Sequence, residues 1–318
     1  MTSTSIKSNP CQNRNETFES LETILKGPRQ DPCNVYGSGP LLVSDVPKKA
    51  RSSEGGGVIM GIDEAGRGPV LGPMTYAAAY WNPDDSDAIP NGFKDSKTLN
   101  PTQRASLFQK LKETPEIGFV LRVLHASEIS RNMLRKDPYN LNAMSHDSAM
   151  EMIQAVLDAG VKIETCYVDT VGVASSYQTK LERAFSGHGI EFVVEKKADD
   201  KYAPCSAASI VAKVSRDTIT ESWKWSESHF EAKGGKDYGS GYPSDPKCKA
   251  WMERNLSDPV FGYPDFVRFS WGPAKKALKE EDCALVEWEA DEDDDENASS
   301  GKGQQMSMNF FVVAGKGD

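Results

Sequence analysis

The sequence predicts an α/β fold, a sheet of five strands flanked by helices with a small helical part appended. Three observations predict it. Strand-like apolar runs come first as a pair and then alternate with segments of helical periodicity. With 318 residues and 38% hydrophobic content, the chain can bury one large core, or one core with a small appendage. Several of the runs end in, or run just ahead of, a carboxylate, as strands do when their ends line a crevice.

Taken in order, residues 1–57 are polar and rich in Ser, Pro, Asn and Gly, and are expected to be a disordered extension with at most a short helix near Phe18–Leu25. Val58–Ile62 and Thr75–Trp81 flank a Gly/Pro-punctuated turn and predict a hairpin. Gly118–Leu124 is a third strand. Over Asn142–Val161, Met144, Ala149, Met152, Ile153, Val156 and Leu157 share one helical face, with Gly160 as the stop. Thr165–Val168 predicts a strand closing on Asp169. Leu181, Ala184 and Phe185 predict a helix before Gly187. Glu191–Glu195 is the fifth strand, with Asp199 just beyond it. From Ser206, the residues Ala207, Ile210, Val211 and Val214 mark a strong helix. The expected divisions are the extension at 1–57, a catalytic domain at 58–225, a helical subdomain at 226–279 and an acidic tail at 280–318.

Composition excludes several classes. No apolar run approaches the roughly 20 residues that span a bilayer, and Met1–Phe18 lacks the apolar core of a signal peptide. An intracellular, non-membrane protein is expected. Its six cysteines show no metal-binding spacing and are expected as reduced thiols. The net charge of −10 is uneven. Residues 280–296 hold eleven acids and no Lys or Arg; without them 36 acidic residues face 37 basic ones, so the body is near neutral.

The chemistry concentrates in Gly61-Ile62-Asp63-Glu64-Ala65-Gly66-Arg67-Gly68-Pro69, where an apolar run meets two adjacent carboxylates and then a nearly bare backbone. Together with Asp169 and Asp199, these acids could gather at one sheet edge. Carboxylates held close resist simultaneous ionisation unless cations neutralise them, and oxygen-rich clusters suit Mg²⁺ or Mn²⁺. Two such ions, about 4 Å apart, activate water and stabilise the leaving oxygen of a phosphodiester. A single acid after a strand is ordinary turn chemistry, so spacing alone gives a candidate divalent-metal site. The Gly61–Gly68 stretch is not a P-loop, since Arg67 replaces the lysine and Gly68 the Ser/Thr. Its glycines instead let backbone groups approach a ligand, and beside a phosphodiester site the nearest such group is a sugar, whose 2′-hydroxyl distinguishes RNA from DNA.

The stretch from Gly61 to Pro73 resembles the signature of type 2 ribonucleases H. In the family's order come Asp95-Ser96-Lys97-Thr98-Leu99, Ser145-His146-Asp147, Tyr167–Gly172, Lys197-Ala198-Asp199, Ser206–Ile210, Ala212-Lys213-Val214, Arg216-Asp217 and Tyr238–Pro243. The likeness spans roughly residues 58–275, and Phe261–Trp271 is similar to the eukaryotic catalytic subunit rather than the shorter bacterial enzymes. It implies a ribonuclease H-like mixed five-stranded sheet. It also implies cleavage of RNA in RNA–DNA hybrids and on the 5′ side of single ribonucleotides in duplex DNA, leaving 3′-hydroxyl and 5′-phosphate ends. By resemblance, Asp63, Glu64, Asp169 and Asp199 are the acids holding two Mg²⁺ or Mn²⁺ ions. Gly66, Arg67 and Gly68 read the 2′-hydroxyl, Tyr242 stacks on the sugar beyond the ribonucleotide, and Lys97 contacts phosphate. His146 is expected to be structural.

The resemblance implies a heterotrimer with two non-catalytic subunits, nuclear, serving ribonucleotide repair and primer removal. Pro47–Arg51 is a weak nuclear address. Gln304–Phe311 resembles, incompletely, the peptide by which replication proteins bind a sliding clamp, with Ser307 where an aliphatic residue belongs. The alternative is a hybrid-binding or clamp-recruited scaffold without chemistry, which retention of all four acids disfavours.

Overall fold

A computed structural model describes residues 41–51, 56–93, 99–223, 225, 235–256, 262–280, 283–286 and 310–313. The main sheet has strands β1 (Leu41–Val43), β2 (Val58–Ala65), β3 (Met74–Trp81), β4 (Gly118–Leu124), β5 (Ile163–Asp169) and β6 (Glu191–Glu195). Their order is β1-β4-β3-β2-β5-β6, with β1/β4 and β2/β3 antiparallel, and β2/β5 and β5/β6 parallel. The sheet is therefore mixed, with six strands rather than five. The added strand comes from the stretch expected to be disordered: Leu41-Leu42-Val43 is too short to show a period, yet it pairs with Val120–Arg122 and buries Leu42. Nearby, Lys48–Ala50 forms a short 3₁₀ turn that buries Ala50.

The helices are α1 (Pro101–Glu113), α2 (Ala126–Leu134), α3 (Leu141–Asp158), α4 (Ala174–Ala184), α5 (Ala198–Lys201), α6 (Ala203–Ser222), α7 (Pro246–Asn255) and α8 (Gly272–Glu280). Among the described residues, no helix is long and apolar enough to cross a membrane. Helix α1 begins with a capping box, in which the Asn100 side chain accepts from the Gln103 amide and the Gln103 side chain accepts from the Asn100 amide. Its mostly polar sequence hides it from periodicity, since only Leu107, Phe108 and Leu111 face the core.

Two compact units make up the chain. The first comprises residues 1–66, 74–123 and 145–224; the second comprises 67–73, 124–144 and 225–318. Two short segments of the first half, 67–73 and 124–144, thus group with the C-terminal part. In the first unit α6 packs on β2 and β3. Its small buried residues Ala207, Ala208, Ser209 and Ala212 let the helix lie close to the sheet, and β3, with Ala77, Ala78 and Ala79 all buried, answers in kind. In the second unit a further strand pair, β7 (Cys283–Val286) and β8 (Phe310–Val313), is antiparallel. It lies within the region expected to be an acidic tail: the apolar ends of that region pair across the chain between them.

Candidate active site

Strand β2 does not stop at Ile62 but carries both acids to Ala65, with Asp63 opposite Ala77 and Glu64 opposite Tyr76. Neighbouring side chains on a strand point to opposite faces. Here the short Asp63 side chain turns back, its Oδ1 accepting from the Glu64 amide at 2.8 Å. The longer Glu64 chain supplies the remaining reach. With Asp169, the last residue of β5, ligand oxygens of Asp63 and Glu64 all lie within 4.8 Å of one another. Oxygens across one cation at ~2.1 Å stand ~4.2 Å apart, so modest side-chain rotations would seat an ion.

Electrostatics agree with that fit. Asp63 is buried, and its carboxyl is pushed up to about 7, first by burial and then by the charge of Asp169, with Asp199 adding to it. Lys213 and a hydrogen bond from Ser209 oppose the rise. Burial also raises Asp169, against backbone N–H groups of Ala198, Lys197 and Thr170 that stabilise its charge; the Ala198 bond is 3.0 Å. Lys197 is the one described non-glycine residue with positive φ, 58°. That left-handed turn aims two successive N–H groups at Asp169. An all-carboxylate cluster in which Asp63 and Asp169 resist ionisation has the chemistry to hold a hard divalent cation.

Asp199 does not end a strand. It sits on the one-turn helix α5, buried, and outside the three-acid ring, though its charge reaches both Asp63 and Asp169. The Ser206 hydroxyl donates to its backbone carbonyl. Ser209 and Lys213, one turn apart on α6, are not singled out by sequence, although both lie in motifs of the recognised series. Lys213 Nζ donates to Ser209 Oγ, and Ser209 to Asp63. Gly61 explains how α6 comes so near: a Cβ there would meet Pro204 C and Cys205 N at 2.1 Å. The Cys205 thiol is buried beside Asp63, pushed well up by burial, and donates to the Tyr167 carbonyl at 3.2 Å. It is packing, not chemistry. His146 stacks on Tyr177 with ring centroids 3.8 Å apart, and its Nε2 is paired with the Val171 carbonyl.

The second unit holds Arg67, Gly68 and Tyr242. The Arg67 guanidinium donates to Asn142 Oδ1, a residue that no sequence pattern marks. The Tyr242 ring covers Gly68 so closely that a Cβ there would lie 2.8 Å from Cε1. Tyr242 remains 46% exposed, leaving ring surface for a ligand. Asp245 holds the tyrosine's loop by accepting from Ser240 N at 2.8 Å, Ser240 Oγ at 2.7 Å and, as the cap of α7, Lys247 N at 2.9 Å. These bonds pull its carboxyl down to about 2. Lys97 and Gln304–Asn309 lie outside the described residues; Phe310 and Phe311 belong to β8.

The family model described as Ribonuclease HII matches residues 60–274. The chain belongs to the ribonuclease HII family. The A subunit of ribonuclease H2 from Homo sapiens is 43% identical over 275 residues, covering 86% of this chain and 87% of the relative. The crystal structure of the ribonuclease H2 from Pyrococcus horikoshii OT3 superposes with a TM-score of 0.57 at 31% identity, covering 70% of this chain and 98% of that one. Ribonuclease HII from Archaeoglobus fulgidus, solved in complex with PCNA, gives 0.55 at 29% identity, covering 67% and 95%. The chain is thus a ribonuclease H, a hydrolase that cuts RNA within RNA–DNA hybrids, and its kinship is with the catalytic subunit of the type 2 enzymes.

Proposed function

We propose that this chain cuts on the 5′ side of ribonucleotides, including single ones embedded in duplex DNA, leaving 3′-hydroxyl and 5′-phosphate ends. The observation that carries the reading is the meeting of Asp63, Glu64 and Asp169 oxygens within 4.8 Å on a wall buried enough to raise the Asp63 and Asp169 carboxyls. Asp63, Glu64 and Asp169, with Asp199 alongside, would hold two Mg²⁺ or Mn²⁺ ions. When bound, such ions activate the attacking water and neutralise charge on the leaving oxygen.

The protein's own groups do the rest. Ser209 and the N–H groups around Lys197 orient Asp63 and Asp169 before substrate arrives. Gly66–Gly68 present backbone to the 2′-hydroxyl, and exposed Tyr242 offers a stacking face to the next sugar; Lys97 contacts phosphate. The proposed setting is nuclear, in a heterotrimer with two non-catalytic subunits, in ribonucleotide excision repair and primer removal. A clamp contact through Gln304–Phe311 belongs to the same proposal, and the Archaeoglobus relative, solved in complex with PCNA, supports it.

The test is a DNA duplex carrying one ribonucleotide, incubated with Mg²⁺ or EDTA, using the chain alone and with co-purifying subunits. Cleavage occurs only with the metal, and Asp63→Asn lowers it by ~10³-fold or more, in line with losing a charged group at a preorganised site. Normal turnover by Asp63→Asn overturns the assigned centre. Tyr242→Ala lowers kcat/KM on this substrate by ~10-fold more than on a long hybrid, measured side by side, the scale of one lost stacking contact; equal losses refute a junction role.

A further inference from the structure

The loop after Gly66 is fastened to the C-terminal segment 266–271. Gly72 N donates to Phe266 O at 2.8 Å, Arg268 N to Val70 O at 2.9 Å, and Leu71 bridges Val267. Side chains add a second layer. Arg268, with no exposed surface, donates from Nε to Gly72 O at 2.9 Å and from a terminal nitrogen to Arg67 O at 3.2 Å. Its guanidinium lies 4.8 Å from the centre of the Trp271 ring, and Trp271 Nε1 donates to Gly68 O at 3.1 Å. Two consecutive carbonyls, Arg67 O and Gly68 O, are therefore each committed to a donor from one short stretch, Arg268 to Trp271.

We propose that Arg268 and Trp271 are positioning residues that set the enzyme's preference for a ribose. This rests on the proposed sugar-reading role of Gly66–Gly68. A peptide unit is planar and trans, so a hydrogen bond to the Arg67 carbonyl directs the Gly68 N–H to the opposite side, away from Arg268. The Trp271 bond then fixes the next peptide, across a residue whose backbone is otherwise the least constrained of any. A glycine-rich reader gains selectivity only if its N–H and C=O groups are held in one orientation, because a loop free to rotate its peptides would satisfy either sugar. The stacked Arg268–Trp271 pair supplies that restraint.

Trp271→Phe keeps a ring over Arg268 and removes the Nε1–H donor. In the full chain with its co-purifying subunits and Mg²⁺, two quantities are measured: kcat/KM for the single-ribonucleotide duplex, and the inhibition constant of an all-DNA duplex of the same sequence. Trp271→Phe lowers kcat/KM about five- to tenfold, the equivalent of one lost hydrogen bond, while the all-DNA inhibition constant and Tm stay at wild-type values. Gly66→Ala, at a position of φ 82°, serves as the reference for the reader itself. If it lowers ribonucleotide cleavage selectively while Trp271→Phe weakens both duplexes equally or neither, the brace is refuted. If Gly66→Ala also affects both duplexes in parallel, the sugar-reading assignment is what fails.

Discussion

Asp63 carries its charge where the fold disfavours it, in a buried position facing two other acids, and that has a cost in stability. Its folded carboxyl titrates near 7, against ~3.9 in an unfolded chain. Below ~pH 4 both states are protonated and the stabilising proton is fully in place. Between ~4 and 7 the unfolded chain loses its proton first, so stability falls with rising pH, and above ~7 the loss is complete. In EDTA at pH 8, Asp63→Asn therefore raises Tm by several degrees, at ~2–4 °C per kcal/mol, and the advantage vanishes near pH 4. Scanning calorimetry at the two pH values checks this, and adding Mg²⁺ narrows the gap by stabilising the wild type. The Asp63-Glu64 pair is legible because two carboxylates after an apolar run form an uncommon pattern. Ser209 and Lys213 are not, since their approach to Asp63 depends on which face of α6 meets β2. Nor is the left-handed turn at Lys197, which is a product of tertiary contacts rather than of the residue's own preference.

At the scale of elements, the decisive packing is α6 against β2. The 2.1 Å clearance that a Cβ at Gly61 would have to Pro204 and Cys205 is against backbone, with no flexible side chain to give way. Gly61→Ala must push the start of α6 off the strand, costing ~3 kcal/mol or more, at the upper end of overpacking effects. Urea denaturation measures it, and a loss under about 1 kcal/mol would show that the helix is not so tightly seated. Strong periods make α3, α6 and the five longer strands legible. Helix α1 escapes because its start is written in a capping box, Asn100 to Gln103, and not in apolar spacing. Helix α2 escapes for a related reason: beyond Ala126 its buried apolar residues are only Ile129 and Leu134, too few for a stripe.

For the whole molecule, charge and fold class follow from composition and alternation, whereas the interleaving of the two units does not. Segments 67–73 and 124–144 are placed by bonds such as Phe269 N to Ser130 Oγ, 2.9 Å long across 139 residues, which no local pattern encodes. The same holds for β1, three residues seated on β4 and continued by Ser44, whose amide donates to Phe119 O at 2.9 Å and whose hydroxyl accepts from Phe119 N at 2.8 Å. A chain shortened to begin after Ser44 would lay bare the row of N–H and C=O groups along β4. Light scattering should then find concentration-dependent clumping that is absent when the cut falls just before Leu41. The practical boundary for trimming this enzyme is thus a strip about as short as a single turn of helix, Leu41 to Ser44, whose loss would leave a sticky nuclease.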